Sequence, residues 1–332
     1  MVRRENKMNR RIFVLTLCAM LFALCVSVEA QQPKMARIGL LRGSSFEREA
    51  NIEMLRRELS TLGYVDGRNI AIEFRAADNK FDRFPALVDE LVRLKVDILI
   101  ITSTAAALTA KKATATIPVI VMGITDPVGA GLVDSLARPG GNITGFTSIP
   151  ADLSGKRIEL LKETVSKISR VGVLWNPQDP ASVQQWKESA QAARELGLQL
   201  HSMEVSSADK YEDSFKEAIK AGVLAFTVPQ DSMSGANQKK IIQLAAKHRL
   251  PGIYSRNDFV ENGGLMSYGW DRSESFKRVA VMVDKILKRT KPADIPAEQP
   301  KKFEFIVNLK TAKQIGLTIP PNVLARADRV IK

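Results

Sequence analysis

The sequence predicts an α/β protein built as two doubly wound parallel-sheet lobes joined by a hinge, and three observations predict it. Short apolar runs rich in β-branched residues recur, among them "VDILII" at 96–101, and such runs suit strands covered on both faces. Segments of helical period lie between them, so strand and helix alternate at the spacing of βα units. The alternation then repeats as a second block of domain size, in a chain of 332 residues with 45% hydrophobic content. No repeat of roughly 20–50 residues appears, so two similar lobes are expected and not a solenoid.

The first thirty residues stand apart. "MVRRENKMNRR" is a basic start, "IFVLTLCAMLFALCVSV" an apolar core, and Val28-Glu29-Ala30 offers small residues at a cleavage position, so 1–30 reads as a signal peptide. The polar "EAQQPK" that follows favours cleavage over retention as an anchor. Cys18 and Cys25 each follow a Leu, which does not fit a lipid-attachment site. Cleavage removes both cysteines, so the mature chain depends on its core and not on disulfides. It also removes five basic and two acidic residues, which lowers the formal charge by three from +13. The remaining Lys and Arg are interspersed with Glu and Asp along helix faces, as in "MLRRELS" and "KRIELLKETVSK". That is a solvated basic surface, and together with export it argues against nucleic acid as a partner.

The first lobe begins at Ala36. "ARIGLL" is a strand, and Arg42-Gly43-Ser44-Ser45 is the loop at its end. Residues 46–62 place Ile52, Leu55, Leu59 and Leu62 on one helical face, and Gly63 stops that helix. "NIAIEFR" is the second strand, and a helix over about 82–94 leads to "VDILII". The hydroxyl turn Thr102-Ser103-Thr104 follows, then an alanine-rich helix from about 105 to 114 and the strand "IPVIVMG", which leads to Asp126-Pro127. "VGAGLVDSLA" reads as a short helix ended by Pro139-Gly140-Gly141, and "NITGFT" as a fifth strand.

The second lobe repeats the pattern with helix 153–166, strand "RVGVLWN", helix 181–196, strand "LQLHSMEV", helix 209–221, strand "GVLAFTVP", helix 236–248 and strand "PGIYS". A tail follows: the strand "GGLMSYG", a long helix over 273–289, a linker punctuated by Pro292, Pro296 and Pro300, the strand "KFEFIVN" and a last helix. The expected division is 36–148 plus 267–299 for one lobe and 149–266 plus 300–332 for the other. Crossovers are expected near 147–152, 267–272 and 299–303.

Enzyme patterns are missing. No Gly-x-Gly-x-x-Gly follows the first strand, "SGKR" lacks the rest of a phosphate loop, and His201 and His248 sit in a strand and near a helix end. The chain therefore reads as non-enzymatic, with no cofactor and no metal expected. Polar groups at strand carboxyl ends remain, and open α/β sheets hold their ligands there. Ser103 and Thr104 lie at a helix N-terminus whose N–H groups and dipole favour an anion, although plain capping explains the same residues. Asp126 before Pro127 is a cap or a partner for a ligand ammonium. In the second lobe Asn176 and Asp231 occupy strand ends, and either is equally a turn residue. Phe46, Trp175, Tyr254, Tyr268 and Trp270 lie close to strand ends, which suggests an aromatic-walled pocket. The candidate ligand site is thus Ser44, Phe46, Ser103, Thr104, Asp126, Asn176, Asp231, Tyr254 and Tyr268.

"RIGLL", "LGYVDGRNIAIEFR", "TSTAAALTAKKATATIPVI", "TDPVGAGLVDSLARPGGNITGFT", "LSGKRIELLKE", "VGVLWNP", "GGLMSYG" and "KFEFIVNLKTAKQIGLTIPP" occur in this order along nearly all of the mature chain. Together they resemble the ABC-transporter substrate-binding proteins related to the tryptophan-binding lipoproteins of Gram-positive bacteria. The resemblance implies a type I periplasmic-binding fold, with three crossovers and lobes that close on a ligand. It also implies that a ligand carboxylate and ammonium are held at strand ends, in the "TSTAAAL" and "TDPVGAGLV" regions. Two stretches depart from the family pattern: "RGSSFERE" is shorter than the matching loop of the tryptophan binders, and "PQDSMSG" lacks an expected Asp-Asn pair. On this reading the chain is a monomeric periplasmic receptor. It delivers a small carboxylate-bearing molecule, an amino acid or an aromatic acid, to an inner-membrane ABC permease. The rival readings are a ligand-sensing module for a chemoreceptor or sensor kinase, and an exported α/β enzyme.

Overall fold

The computed structural model describes residues 35–45, 48–148 and 150–332, so the expected signal peptide and Phe46 lie outside the described residues. In the first lobe, β1 (Ala36–Arg42), β2 (Ile70–Ala76), β3 (Ile98–Ile101), β4 (Val119–Thr125) and β5 (Ile143–Ser148) form one sheet in the order β2-β1-β3-β4-β5. Every pair in it is parallel. Side chains of β1 alternate between two cores, as a period of two requires. Ile38 and Leu40 share a core with Ile52, Leu55 and Leu59 of helix α1 (Arg48–Ser60). Leu41 faces the other way, into a core with Leu87, Val88 and Leu91 of α2 (Phe84–Arg93) and Ala106, Ala107 and Ala110 of α3 (Thr104–Ala113). Each large side chain buried this way stabilises the lobe by about 1.5–3 kcal/mol.

Two expectations for this lobe fail locally. Leu62 is exposed, because α1 stops at Ser60 and Gly63 turns away at φ +88°. No helix forms over "VGAGLVDSLA", where turns take its place. Asp126 adopts φ +34° and Gly131 φ +67°, and the N–H groups of Leu132 and Val133 both donate to the Pro127 carbonyl. Two glycines in so short a segment each cost a helix about 1 kcal/mol, and the segment has too few residues to offset that.

The second lobe contains α4 (Pro150–Thr164), β6 (Arg170–Trp175), α5 (Pro180–Glu195), β7 (Gln199–Glu204), α6 (Tyr211–Lys220), β8 (Ala225–Val228), α7 (Ser232–Ala236), α8 (Gln238–Lys247), β9 (Gly252–Tyr254), α9 (Asn257–Glu261) and β10 (Met266–Trp270). After the long helix α10 (Arg272–Leu287) come β11 (Phe303–Asn308), α11 (Leu309–Ile315), α12 (Pro321–Leu324) and β12 (Arg329–Ile331). The sheet runs β12-β11-β10-β9-β8-β6-β7, and its single antiparallel pair is β10 with β11. The helix expected over 236–248 is shorter and preceded by α7, the two being separated at Asn237. The short α9 has too few residues to display a helical period.

Three connections pass between the lobes. β5 ends at Ser148 in the first sheet, and α4 then places Ile158, Leu160 and Leu161 in the second lobe's core. Strand β10 pairs with β9 and β11 in the second sheet, whereas α10 sends Phe276, Val279 and Val283 into the first lobe's core. The second crossing therefore falls at Asp271 and not at 267, since strand "MSYGW" is held by the second sheet's ladder. The third follows Glu298, which bridges Phe146 at the first sheet's edge before the chain enters β11. Thr144 Oγ1 donates to the Ile295 carbonyl at 2.6 Å and fastens that edge. Trp270, the last residue of β10, reaches back into the first lobe and meets Phe146 edge-on at 5.6 Å. The arginine of "SGKR", Arg157, is buried beside this hinge, and its Nε donates to the Tyr268 carbonyl at 2.9 Å. Burial pushes its pKa down to about 10.

Candidate functional site

The carboxyl ends of β1, β3 and β4 meet those of β8, β9 and β10 across a cleft that encloses a cavity of about 90 Å³. One ordered water occupies roughly 10–15 Å³ of such space, so the cavity suits a small molecule. The first lobe supplies Arg42 and Ser44 after β1, Ser103 and Thr104 at the start of α3, and the end of β4. The second lobe supplies Asp179, Asp231, Ser232 and Arg256, each beyond a strand end. Trp270, Arg272 and Phe276 close the cavity at the second crossover. The lobes touch here. A Cβ added at Gly43 would lie 2.3 Å from Ser232 Oγ, and one added at Gly123 would lie 3.3 Å from the Trp270 ring.

On the first-lobe wall, Ser103 is the N-cap of α3 and accepts from the Ala106 N–H at a long 3.5 Å. Thr104 is buried, lines the cavity, and its Oγ1 has no hydrogen-bond partner. A buried hydroxyl of this kind costs stability unless something satisfies it. The end of β4 is re-aimed by a bulge, with a register shift between Met122 and Ile124 and Gly123 at φ +72°. Asp126 consequently turns outward. It is exposed, it does not line the cavity, and its Oδ1 accepts from the Gly129 N–H at 2.8 Å.

The second-lobe wall carries two carboxylates that serve as helix N-caps. Asp179 Oδ1 accepts from the Ala181 N–H at 3.0 Å, and Asp231 Oδ1 accepts from the Ser234 N–H at 2.8 Å. Asp231 Oδ2 is buried with no partner. Burial, then the charge of Asp231, pushes the Asp179 carboxyl up to about 7, and burial raises Asp231 as well. Gln185 pins the two turns together, accepting from the Gln230 N–H at 3.0 Å and donating to the Gln230 carbonyl at 3.1 Å. Beside them Arg256 Nε donates to Asp258 Oδ1 at 3.0 Å, and Gln238 Nε2 donates to Asp258 Oδ2 at 2.9 Å. Burial disfavours the Asp258 charge, but the Arg256 hydrogen bond and charge, with Gln238 and Arg272, hold its carboxyl below the ordinary range. Arg272 lies 3.5 Å from Asp258 and donates to Asn51 Oδ1 of α1 at 2.9 Å, so one side chain links the two lobes.

Of the residues expected from the sequence, the cavity brings together Ser44, Ser103, Thr104 and Asp231. Asn176 is buried in its own turn, where Oδ1 accepts from the Gln178 N–H at 2.9 Å. Tyr254 belongs to the core beneath the sheet, stacked on Phe259 at 4.5 Å, and burial pushes its phenol up. Tyr268 lies on the sheet face 6.3 Å from Phe303, and Trp175 stacks on Trp186 at 5.2 Å. Among the described aromatics expected at the crevice, Trp270 alone lines the cavity. Sequence reasoning missed Arg42, Asp179, Arg256 and Arg272 as lining residues. Asp179-Pro180 carries the same Asp-Pro pair as Asp126-Pro127 and does start a helix, and that signal was available. Among the described residues no cluster of His, Cys, Asp and Glu is suited to a metal, and no helix is long and apolar enough to cross a membrane.

Residues 33–331 match the model of a family described as ABC transporter substrate binding protein. A tyrosine-binding protein of Clostridioides difficile (strain R20291) is 29% identical over 260 residues, covering 78% of this chain and 74% of the relative. The structure of an ABC domain from Streptococcus pneumonia in complex with L-Trp is 29% identical, with a TM-score of 0.81 over 89% of this chain and 99% of the other. A ligand-free, open substrate-binding protein from Clostridium difficile is 25% identical, with a TM-score of 0.63 over 90% and 99% of the two chains. The TM-score is thus higher against the L-Trp-bound structure than against the ligand-free, open one.

Proposed function

Because the chain belongs to the ABC transporter substrate-binding protein family, we propose that it is a periplasmic receptor that closes on a small zwitterionic amino acid and delivers it to an inner-membrane permease. One observation carries this reading. Two buried polar residues line the same cavity from opposite lobes, Thr104 from the first and Asp231 from the second, and each has a side-chain oxygen without a partner. Their demands differ. The carboxylate oxygen takes a donor, which a ligand ammonium supplies. The Thr104 hydroxyl, with the N-terminus of the ten-residue α3 and its dipole behind it, suits a ligand carboxylate. A ligand that meets both walls does so only when the lobes are together, so it shifts an open–closed equilibrium towards the closed form. Met122, Trp270 and Phe276 offer apolar contact for a side chain, and the tyrosine-binding and L-Trp-bound relatives favour an aromatic one.

The reading needs no bond to be made or broken, and it places the protein outside the cytoplasmic membrane as a monomer after removal of residues 1–30. It is tested by mass spectrometry of small molecules released from freshly purified, denatured protein, followed by calorimetric titration of the twenty L-amino acids. An α-amino acid bound at micromolar strength or tighter is expected. Release of a sugar or metal chelate, with no affinity for any amino acid, would overturn it.

A further inference from the structure

Gln230 stands two residues beyond the end of β8, lines the cavity and has no task in the reading above. Its backbone is clamped by one buried side chain. Gln185 of α5, at 1% exposure, donates to the Gln230 carbonyl at 3.1 Å and accepts from the Gln230 N–H at 3.0 Å. Gln185 Nε2 also donates to the Ala181 carbonyl at 3.2 Å, so the orientation of its carboxamide is fixed from three directions. The point from which the Gln230 side chain sets out is therefore fixed as well.

The direction it takes follows from the next residue. Asp231 is extended, at φ −147° and ψ 162°, and neighbouring side chains on extended backbone point to opposite sides. Asp231 turns to cap α7, and Gln230 turns the other way, towards the first lobe. Gln230 Nε2 lies 3.6 Å from the position a Cβ on Gly123 would take, and the Trp270 ring lies 3.3 Å from the same point. The carboxamide thus reaches across the cleft to the bulge in β4 and stands beside an aromatic ring. It is half-buried, and the hydrogen bonds of Gln230 to described residues are those of its backbone alone. A carboxamide carries two N–H donors and an acceptor oxygen, and a closed cleft takes water away from them. That loss is offset only by a ligand atom that hydrogen-bonds. Trp270 makes the opposite demand, for a flat apolar face. A ring that carries a hydrogen-bonding atom on its edge meets both, as the phenol of tyrosine and the indole of tryptophan do. A phenyl ring meets only the second.

We propose that Gln230 is a specificity-determining residue of the cleft: its carboxamide hydrogen-bonds the phenol or indole of an aromatic amino acid and so rejects phenylalanine, and Gln185 is the positioning residue that holds it in place. This rests on the reading that the ligand is an amino acid and narrows the class of its side chain. The carboxamide oxygen accepts from the phenol O–H or the indole N–H, and Nε2 can donate to the phenol oxygen as well. The discrimination acts at closure, because Gln230 belongs to the second lobe and meets the end of β4 only when the lobes are together. Phenylalanine would leave the carboxamide dry and unpaired in the closed form, so it shifts the equilibrium less. A site built to pair with a polar atom rejects the analogue lacking it more strongly than an apolar pocket rejects a missing methylene.

Calorimetric titration of the mature protein with two matched pairs tests this. One pair is L-tyrosine and L-phenylalanine. The other is L-tryptophan and 3-(3-benzothienyl)-L-alanine, in which sulfur replaces the indole N–H at nearly constant shape. For whichever of tyrosine and tryptophan binds more tightly, its partner should bind about ten- to a hundredfold more weakly. Gln230→Met keeps the length of the side chain and removes its donors and acceptor, so the ratio should fall to within about threefold. Gln230→Ala supplies the same comparison should the methionine variant fold poorly. Gln185→Met should lower the ratio too, which a loss of stability alone does not do, since both members of a pair meet the same folded fraction. Equal affinity within the pair for the wild type, or a ratio unchanged in Gln230→Met, overturns this proposal and leaves the amino-acid reading standing. Binding of a non-aromatic amino acid in place of all four does the same. Failure of every amino acid to bind overturns both.

Discussion

Gly43→Ala should impair closure without impairing folding. The added Cβ would stand 2.3 Å from Ser232 Oγ and 2.8 Å from Ser232 Cβ, across the mouth of the cleft. Non-bonded carbons rest about 3.5–4.0 Å apart, so at this point the lobes must part by roughly 1 Å. The Ser232 hydroxyl can rotate away, but its Cβ cannot. Overpacking of this kind costs about 1–3 kcal/mol, and here it falls only on the closed form. Apparent affinity for L-tyrosine or L-tryptophan should therefore drop about five- to 150-fold, because ligand must drive the extra strain. Gly43 does not adopt a left-handed conformation, so Ala fits its backbone and the melting temperature of the ligand-free protein should stay within a few degrees. Ser232→Gly removes the obstructing Cβ. In a double-mutant cycle read by calorimetry, the loss caused by Gly43→Ala should shrink to near zero in the Ser232→Gly background. Unchanged affinity in Gly43→Ala, or a loss that Ser232→Gly fails to recover, would refute the closed geometry from which this follows.

Ser103→Ala should cost about 1 kcal/mol of stability, as the loss of an N-cap does, with affinity changed less than Thr104→Val changes it. Thr104→Val removes a buried hydroxyl that bonds nothing in the empty cleft, so it should leave stability intact and weaken amino-acid binding about three- to tenfold. Asp126→Asn should leave affinity within twofold, since that carboxylate is exposed and caps its own turn; a tenfold loss by calorimetry would put Asp126 back in the site. For Asp179 the folded-state pKa of about 7 lies above the unfolded 3.8, so the native chain binds more protons across that window and stability falls as pH rises through it. Roughly three units correspond to at most about 4 kcal/mol, complete above neutrality. Asn keeps the cap and lacks the charge, so in urea titrations the advantage of Asp179→Asn over wild type should grow from near zero at pH 4 to its largest at pH 8. A constant difference across pH would refute it.

The scaffold was legible in the sequence because it is written in periodicities. Runs such as "VDILII" are buried on both faces, and Ile52, Leu55 and Leu59 recur at helical spacing, so strands and helices announce themselves. The carboxyl-end rule then located the cleft and selected Ser44, Ser103, Thr104 and Asp231. It failed where a strand end carries information that no period records. Asp126 and Asp179 present the same Asp-Pro pair in the sequence, yet the bulge at Gly123 rotates the first outward while a regular β6 leads the second to the cavity. Tyr254 is the last residue of its strand and enters the core, whereas Arg256 lies beyond the strand end, where the period of two no longer sets direction, and lines the cavity. The sheet membership of "MSYGW" was hidden for a related reason. A buried strand shows its covering on both faces but not which neighbours it pairs with, and the antiparallel partner β11 lies beyond a helix of the other lobe.

That last detail bears on how ligand and closure are joined. Trp270 belongs by its backbone to the second sheet and by its ring to the first lobe's core, against Phe146. Two residues on, Arg272 donates to Asn51 of the first lobe while facing Asp258 of the second. Both line the cavity, and between them lies Asp271, where the chain crosses. A rotation of the lobes about the crossings therefore has to move the Trp270 ring or the Arg272 guanidinium relative to at least one wall. Packed interiors do not deform continuously, so such a site favours discrete open and closed arrangements over a graded series. The coupling of occupancy to lobe position then needs no relay across the protein, because the residues that form the hinge are also residues that touch the ligand space.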